Sequence, residues 1–343
     1  MIVLDVINVH DALPRAVKLL TQRGTTRQSR NGPVVLLQEP VSTVYVYPYQ
    51  KVMFWPDRDA NPFFHLYEGL WMLRGRNDVA PLVRYVKRST EYSDNGVTLH
   101  GAYGYRWRGW FKIDQLAVIA KRLKENPDDR RCVLQMWDTY ADLGRNGKDV
   151  PCNTMATFQR GVNGELNLSV FCRSNDIVWG AYGANAVQFG FLLEYMALWI
   201  GCPVGTYTQI SVNWHGYVDT LAKVAHIQPD AQGFVYNPYF DNGRVRPQQM
   251  FHGTIDVANK AIGDLLFMAD NGFAMELDRD DSEPFFDTAY HMLKAHHLWK
   301  STKGPERYGL ALEELGKADP LADWIVAGRE WILRRELKSA DPV

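Results

Sequence analysis

Residues 154–170 contain two runs of alternating apolar and polar residues, separated by the pair Asn163-Gly164. Alternation at every second position predicts a strand with one buried face, and an Asn-Gly pair between two such runs predicts a tight hairpin turn. Cys152 lies two residues before the first run, and Arg173 lies three residues after the second. We therefore expect a β-hairpin with a cysteine and several polar side chains within reach of its open end.

The segments around this hairpin alternate between helical and strand-like patterns. Apolar residues spaced three or four apart predict helices, and β-branched runs predict strands. The predicted elements are a helix carrying Leu13, Val17 and Leu20, strands over 34–48, a helix over 62–86 that breaks at Gly75, and a long apolar helix over 184–201 that ends at Gly201.

After about residue 250 the pattern changes to helices alone, over 254–269, 282–300 and 320–337. Ser282 and Pro284 open the second of these, as residues typical of a helix start do. One apolar face of the last helix predicts core or interface packing. That face consists of Leu321, Trp324, Ile325, Trp331 and Ile332.

With 343 residues, 46% of them hydrophobic, the chain can bury a large core. No repeat or flexible linker divides it. We therefore predict a mixed core over residues 1–250 and a helical region over 251–343, packed together as one continuous domain.

The charge balance limits the possible partners. The 38 basic and 39 acidic residues nearly cancel, so the chain lacks the basic surface of a protein that coats a nucleic acid polymer or an anionic membrane. It also lacks a signal peptide and an apolar run of about 20 residues, which a bilayer span requires. We expect a cytoplasmic protein without membrane contact.

The four cysteines, at 132, 152, 172 and 202, lack the close pairs of a zinc site and the density of a disulfide scaffold. We expect no metal and a reducing compartment. A lone cysteine such as Cys152 is most often a buried core residue. A nucleophilic role would require a nearby cation and proton donors.

Several other segments supply such groups. Arg27 and Arg30 lie in an early loop, and Arg130 and Arg131 precede a strand. Paired arginines suit a phosphate dianion, because each guanidinium can donate two parallel hydrogen bonds, although surface arginines are more often only solvated. The remaining candidates follow the hairpin. They are Arg173, Ser174, Asp176 and Asn185 around a glycine-rich turn, and His215 and Tyr217 at alternate positions of a strand.

Taken in order, seven of these segments resemble the motifs of the thymidylate synthase and pyrimidine hydroxymethylase superfamily. The segments are "SRNG", "YEGLWMLRG", "NGVTLHGAYGYRWR", "NPDDRR", "VPCN" with "FQ", "RSNDIVWGAYGAN" and "VNWHGY". The resemblance covers about residues 10–220. It implies an α+β thymidylate synthase-like fold, in which helices cover a large twisted mixed sheet, and the region after 220 departs from the pattern.

The resemblance also implies catalytic roles. Cys152 would attack C6 of a pyrimidine nucleotide as a thiolate, a form that Arg173 would favour. Glu68 would act through water as a general acid and base near the pyrimidine carbonyl. Tyr103 would line the cleft beside the cysteine. The one-carbon unit would come from methylenetetrahydrofolate.

Binding roles follow from the same resemblance. Arg30, Arg173 and Ser174 would hold the nucleotide phosphate, while His215 and Tyr217 would hold a sugar hydroxyl. Asp176 would face the folate. Arg130 and Arg131 would reach the phosphate from the second subunit of a homodimer with shared sites.

Asn185 occupies the position that recognises the base. Its amide can accept from N3–H and donate to O4 of uracil, whereas cytosine-specific relatives carry an aspartate there. Uracil is therefore favoured, although a reversed amide could pair with cytosine.

Four polar replacements favour water over hydride as the final reactant. Ser89 and Tyr92 stand where the family has folate-packing tryptophans, Asn153 replaces a histidine, and Asp149 replaces an apolar residue and could hold or activate water. These changes favour a deoxyuridylate hydroxymethylase. The alternatives are a thymidylate synthase, a deoxycytidylate or cytidylate hydroxymethylase, and a catalytically silent nucleotide-binding homologue.

Overall fold

A computed structural model describes residues 1–241, 243–250, 252–274 and 284–340. Within these ranges eight strands form one mixed sheet. The strands are β1 (Ile2–Val6), β2 (Thr25–Ser29), β3 (Gly32–Leu36), β4 (Val41–Tyr45), β5 (Val133–Gln135), β6 (Asn153–Arg160), β7 (Leu166–Asp176) and β8 (Val204–Tyr217).

The main strand order is β1-β4-β8-β7-β6-β5, and β3 pairs with both β2 and β8. The β1–β4 and β7–β8 pairs are parallel, and the other pairs are antiparallel. The predicted hairpin is formed by β6 and β7, with Gly164 in the turn at φ +81°. Strand β8 pairs with β7 along the whole length of β7. The register places Ser174 beside Asn213 and Asp176 beside His215.

Helices cover the sheet on one side. They are α1 (Val9–Arg23), α2 (Pro62–Leu73), α3 (Ala80–Val83), α4 (Tyr103–Tyr105), α5 (Gln115–Glu125), α6 (Thr139–Asp142), α7 (Ala186–Ile200), α8 (Val218–Val224), α9 (Ile255–Asp270), α10 (Pro284–Ser301), α11 (Glu306–Leu315) and α12 (Asp323–Ala340). Short 3₁₀ turns lie at Pro56–Arg58, Lys87–Tyr92 and Pro238–Phe240, and wide helical turns at Arg106–Trp110 and Ile177–Asn185.

The apolar helix α7 forms the centre of the core. Nearly all its side chains are buried, and it ends where predicted, at Gly201, whose φ of +82° is the left-handed conformation that glycine adopts without strain. The predicted break at Gly75 is also present, since α2 ends two residues earlier and Gly75 has φ +70°.

The other side of the sheet is open along β5 to β8. Phe171 is 36% exposed and Val212 is 56% exposed, and Met155 lies opposite Phe171 on the neighbouring strand. Antiparallel sheets commonly leave one face to solvent, but an apolar open face of this kind is typical of a surface that another protein covers.

The C-terminal helices pack on this core. Phe191 of α7 stacks on Trp324 of α12 at 5.7 Å between ring centroids, and Phe63 of α2 meets Trp331 edge to face at 5.4 Å. Asp59 binds Arg335 through two hydrogen bonds of 2.7 and 2.8 Å. These contacts agree with the prediction of one continuous domain, which remains a prediction.

The predicted apolar face of the last helix is buried except at one position. Trp324, Ile325, Trp331 and Ile332 are buried, whereas Leu321 precedes the helix and is 37% exposed. Leu321 was wrongly assigned because Asp323, not Pro320, begins the helix. The predicted helix start at Ser282 lies outside the described residues. In the described ranges, no helix combines the length and apolar character that crossing a membrane requires.

Candidate active site

A cleft of about 600 Å³ opens where the β2–β3 hairpin meets the carboxyl ends of β7 and β8. Its walls bring together predicted residues that are far apart in sequence. Those residues are Arg27, Arg30, Arg173, Ser174, His215 and Tyr217, joined by Arg145, Trp137 and Asn213. Four guanidinium groups around one cleft make a site for a polyanion such as a phosphate.

Cys152 lies just before β6, two residues after Val150, which lines the cleft. Its backbone carbonyl accepts from the Arg173 backbone N–H at 2.9 Å. The Arg173 side chain bridges the preceding residues, because Nε donates to the Pro151 carbonyl at 2.9 Å and Nη2 to the Val150 carbonyl at 3.1 Å. One arginine therefore both shapes the cysteine loop and lies on the cleft wall.

The thiol of Cys152 experiences opposing influences. Burial raises its pKa, and the carboxyl of Asp149 raises it further, while Arg173 and Arg30 lower it. Burial is the largest of these effects. The thiolate that a nucleophilic reaction requires is therefore favoured chiefly by the two arginines.

The hydroxyl of Tyr103 braces the start of β6. Its oxygen accepts from the backbone N–H groups of Cys152 and Asn153, each at 3.1 Å. Burial holds the Tyr103 pKa well above its usual range. The hydroxyl thus stays protonated, and with its oxygen accepting twice it has one proton to donate.

Asp149 takes a structural contact that the sequence did not suggest. Its Oδ2 accepts from the Gly101 backbone N–H at 2.7 Å, and a side chain at Gly101 would collide with the carboxyl. Burial raises the Asp149 pKa. The carboxyl therefore holds the segment that leads to Tyr103, and its predicted role in holding or activating water remains a prediction.

Glu68 projects from α2 against α7. Gln188 Nε2 donates to its Oε2 at 2.8 Å. Burial raises the Glu68 pKa to about 7, and this hydrogen bond opposes part of the rise. A carboxyl with a pKa near 7 is suited to both accepting and donating a proton at neutral pH.

Asn185 belongs to a buried chain of hydrogen-bonded side chains. Its Nδ2 donates to Asn175 Oδ1 at 3.0 Å, and its Oδ1 accepts from Asn153 Nδ2 at 3.1 Å. Beyond Asn153 the chain continues to Gln209 at 3.0 Å and Tyr207 at 2.7 Å, and beyond Asn175 it reaches Ser211 at 3.0 Å.

Asp176 caps the turn that follows β7. Its Oδ1 accepts from the Val178 and Trp179 backbone N–H groups at 3.0 and 2.6 Å, and its Oδ2 from that of Tyr217 at 3.3 Å. Burial raises its pKa, against these hydrogen bonds and His215. Its neighbour Trp179 is 53% exposed.

Trp179 has a cation behind its ring. The Arg58 guanidinium carbon lies 4.4 Å from the ring centroid, and Arg58 Nε donates to the Val178 carbonyl at 2.6 Å. Arg58 is itself buried. The exposed ring is therefore fixed in orientation from its inner side.

His215 and Tyr217 lie on the same side of β8, as their spacing predicted, with ring centroids 5.4 Å apart. Arg130 and Arg131 do not line the cleft of their own chain. Both are exposed, and Arg131 is paired with Asp129 at 2.7 to 2.9 Å.

Ser89 and Tyr92 lie in the 3₁₀ turn Lys87–Tyr92 and are not among the residues that line the cleft. Ser89 is buried, and its hydroxyl donates to the Val86 carbonyl at 2.8 Å, whereas Tyr92 is 55% exposed. Their predicted contact with a folate remains a prediction. Among the described residues, His, Cys, Asp and Glu side chains form no group of three that could hold a metal ion.

Sequence reasoning missed several residues of the site. Gln188 lies three positions after Asn185, so helical spacing would have placed both on one face of α7. Arg145 is in an irregular loop and donates to Asp94 at 2.6 Å, and no spacing signal marks it. Asn175 and Gln209 come from strands β7 and β8, and only the strand register brings them to the hydrogen-bonded chain around Asn185.

The sheet, its arginine-lined cleft and the cysteine near that cleft define this chain as a member of the thymidylate synthase family. The family model described as thymidylate synthase matches residues 17–231. The predicted family is therefore confirmed.

Among characterised relatives, the chain is 47% identical to the deoxyuridylate hydroxymethyltransferase of Pseudomonas phage M6, over 98% of this chain and 95% of that protein. It is 39% identical to the deoxyuridylate hydroxymethyltransferase of Bacillus phage SP01, over 56% of this chain and 52% of that protein.

The crystal structure of thymidylate synthase from T4 phage superposes with a TM-score of 0.51 and 20% identity, covering 62% of this chain and 78% of that one. This similarity confirms the predicted fold. The helical region at the C terminus is also present, with α9 to α12 in the described residues.

Proposed function

We propose that this protein is a deoxyuridylate hydroxymethyltransferase that attaches a hydroxymethyl group to C5 of the uracil ring. The observation that carries the proposal is the 47% identity to the phage M6 enzyme over 98% of the chain. A match of this extent includes the helical C-terminal region as well as the family core.

The chemistry of the cleft supports this activity. The Cys152 thiolate adds to C6 of the ring, and the electron pair of the C5–C6 double bond moves toward C5 and the C4 carbonyl. Asn185 holds the base edge, and Glu68 exchanges protons near the carbonyl. C5 would then bond the one-carbon unit, and loss of the C5 proton to a base would expel tetrahydrofolate from that carbon and leave an exocyclic methylene. Water would add to this methylene as it gives up a proton, and the returning electron pair would restore the C5–C6 double bond as the Cys152 thiolate leaves.

The nucleotide would bind by its phosphate. Arg30, Arg173 and Ser174 lie on the cleft wall with two arginines that the sequence motifs did not single out, Arg27 and Arg145. A monophosphate carries about two negative charges at neutral pH, which several guanidinium groups can neutralise. His215 and Tyr217 lie on the same wall, where they would meet the sugar.

Methylenetetrahydrofolate would supply the one-carbon unit. The exposed Trp179 ring, fixed by Arg58 and adjacent to Asp176, fits a flat heterocycle, because aromatic rings stack face to face with a modest offset. Trp179 therefore offers an aromatic stacking surface, which the buried Ser89 does not. We propose that it packs against the folate.

Water would be the final reactant. The side chains hydrogen-bonded in the chain around Asn185 are amides and hydroxyls rather than apolar groups, and Asn153 is fully buried among them. Polar surroundings of this kind can hold a water molecule that an apolar site would exclude. Water capture gives the hydroxymethyl product, whereas hydride transfer would give thymidylate.

The active form would be a homodimer. The open face of the sheet exposes Phe171 and Val212, and Arg130 is exposed near β5 at the edge of this face. Joining two such faces would bury the apolar side chains and bring Arg130 toward the partner's cleft. The phage relatives also support action in the cytosol of an infected cell.

Product analysis tests the proposal. The purified protein is incubated with deoxyuridylate and methylenetetrahydrofolate, and the nucleotide is analysed by mass spectrometry while dihydrofolate is followed by absorbance. We expect a hydroxymethyl adduct without dihydrofolate. A methyl adduct with matching dihydrofolate would identify a thymidylate synthase. The same assay is run with deoxycytidylate, and product from that nucleotide alone would identify a cytosine enzyme. No product with either nucleotide would indicate a silent homologue.

A further inference from the structure

The side chains around Asn185 form a directional chain. Tyr207 donates to Gln209 Oε1, Gln209 Nε2 donates to Asn153 Oδ1, and Asn153 Nδ2 donates to Asn185 Oδ1. Asn185 Nδ2 then donates to Asn175 Oδ1. Each amide thus accepts a hydrogen bond through its oxygen on one side and donates one through its nitrogen on the other. If a single amide turned over, its oxygen would face a neighbouring acceptor and its nitrogen a neighbouring donor.

Tyr207 sets the direction at one end. Its side chain is fully buried, and burial raises its pKa well above the usual range, so the hydroxyl remains protonated. Its proton goes to Gln209 Oε1 at 2.7 Å. Since the first link donates, the amide oxygens of Gln209, Asn153 and Asn185 all serve as acceptors from the Tyr207 side.

The amides on both sides of Asn185 are shielded from bulk water. Asn153, Asn175 and Gln209 are each at most 2% exposed. A side chain at Gly180 would place its Cβ 2.6 Å from Asn175 Oδ1, so the glycine makes room for this amide. A buried amide left with a mismatched partner costs about 1–3 kcal/mol, because water cannot replace the lost hydrogen bond.

Asn185 keeps one hydrogen and one lone pair for a ligand. An amide group has two N–H donors and an oxygen with two lone pairs, and the chain uses one of each. Uracil presents N3–H as a donor and O4 as an acceptor, whereas cytosine presents N3 as an acceptor and its amino group as a donor. The two bases therefore require opposite orientations of the same amide.

We infer that Asn153 and Asn175 are positioning residues that fix the orientation of the Asn185 amide, and that this orientation specifies uracil over cytosine. The inference rests on the proposed function and deepens it, since it assigns base specificity to a chain of residues beyond the one that contacts the base.

Two matched substitutions test the inference because they place the same carboxylate on opposite sides of Asn185. In Asn175→Asp the carboxylate still accepts from Asn185 Nδ2, so the orientation is kept. In Asn153→Asp the carboxylate faces Asn185 Oδ1, and the amide must turn over to donate to it. At about pH 8 an aspartate is normally ionised.

The measurement is the ratio of kcat/KM for deoxyuridylate to kcat/KM for deoxycytidylate. We expect Asn153→Asp to lower this ratio by on the order of tenfold or more, as reversal of one buried amide would. Asn175→Asp should leave it within about threefold. Equal changes in both variants, no change in either, or a larger change in Asn175→Asp would overturn the inference.

Tyr207→Phe provides a test that introduces no buried charge. It keeps the ring, which stacks on Tyr45 at 5.1 Å, but removes the donor that sets the direction. The ratio should fall, by less than in Asn153→Asp, and an unchanged ratio would contradict the inference even if both aspartate variants fail to fold. Failure of the proposed function is distinguishable, because the wild-type protein would then form no hydroxymethyl product from deoxyuridylate.

Discussion

At the scale of single residues, hydrogen bonds with Arg173 and Tyr103 fix the position of Cys152. Arg173 contacts both the cysteine loop and the cleft, and Tyr103 holds the backbone of Cys152 from the other side. In the proposed function, phosphate and base contacts come from residues other than the cysteine. Binding and bond formation are therefore separable by mutation.

Cys152→Ser should abolish product formation while nucleotide affinity changes by less than about threefold, because a serine hydroxyl is a much weaker nucleophile in this setting. Steady-state assays give the first quantity and calorimetric titration of deoxyuridylate the second. Substantial turnover by the serine variant would remove Cys152 from the nucleophile role.

We predict that the Glu68 carboxyl makes the reaction sensitive to pH. Its pKa of about 7 reflects burial, opposed by the Gln188 hydrogen bond that favours the charged form. Gln188→Met keeps the approximate volume but removes the donor, so the Glu68 pKa should rise. The limb of the kcat against pH profile that lies near 7 should move to higher pH, by about one unit.

Gln188→Glu is the contrasting variant. A second carboxylate at that distance would raise the Glu68 pKa more strongly, because like charges disfavour joint ionisation. The limb should therefore shift further than in Gln188→Met. If neither variant moves it, the limb belongs to a group other than Glu68.

At the scale of elements, the local patterns of the sequence predicted what local forces decide. Alternation identified β6 and β7, and Gly201 marked the end of α7, since strand faces and helix ends depend on neighbouring residues. A glycine-rich turn was predicted where Ile177–Asn185 lies, but its bend was not. It bends at Tyr182 and Gly183, and a Cβ at Gly183 would lie 2.6 Å from Arg58, which is distant in sequence.

The sequence predicted which residues belong to the candidate site, but not which side chains they contact. The motif resemblance selected Cys152, Glu68 and Asn185, yet it could not give their partners, because these depend on strand register and, for Glu68, on how α2 packs against α7. Cys172 and Asn153 face each other across the hairpin, and Ser211 faces Cys172 on the next strand. One residue of slip would have placed each side chain on the opposite face.

The open sheet face and its neighbouring arginines predict complementation between subunits. Neither an Arg130→Ala/Arg131→Ala chain nor a Cys152→Ser chain should be active alone. Mixed after reversible dissociation, they should recover about a quarter of the wild-type activity, since half the dimers are mixed and each has one complete site. Demonstrated subunit exchange without recovered activity would contradict a shared site.

The turn that carries Trp179 predicts a selective effect on folate. Trp179→Ala should raise KM for methylenetetrahydrofolate by on the order of tenfold, because an aromatic stacking contact is lost. KM for deoxyuridylate should change little. Trp179→Phe, which retains a ring, should keep most of the folate affinity. A change in KM for deoxyuridylate alone would show that the ring contacts the nucleotide and not the folate.

At the scale of the whole molecule, a buried charged cluster joins the sheet core to the C-terminal helices. Lys51 pairs with Glu194 in the core, and Glu194 Oε2 accepts from the Met250 backbone N–H at 2.8 Å. Asp323 at the start of α12 lies near Lys51 and accepts from the Tyr239 hydroxyl at 2.9 Å. Burial raises the Asp323 pKa to about 7.

This raised pKa predicts how stability depends on pH. The folded protein retains the Asp323 proton at a pH where the unfolded chain has lost it, so the contribution is fully present below about pH 4 and is lost as pH rises through about 7. Asp323→Asn remains uncharged throughout. Its free energy of unfolding, relative to wild type, should therefore increase between about pH 6 and pH 8 in urea titrations.

The paired measurement isolates Asp323 from other titrating groups. The raised pKa of Glu68 also makes the folded protein less stable as pH rises. Burial lowers the pKa of His65 to about 3, so this residue makes the folded protein more stable as pH rises toward the pKa that histidine has in the unfolded chain. Both remain in the variant. A stability difference that stays constant with pH would show that Asp323 titrates normally.

Asp59 connects the last helix to the segment that supports Trp179. It holds Arg335 of α12, and its sequence neighbour Arg58 supports the Trp179 ring. A truncated form lacking α12, prepared for crystallisation or as a minimal catalytic domain, would leave this carboxylate without its guanidinium beside the arginine that orients the ring. We therefore expect truncated proteins that end before residue 323 to be unsuitable for screening inhibitors of the proposed folate site, because compounds would be ranked against a displaced tryptophan.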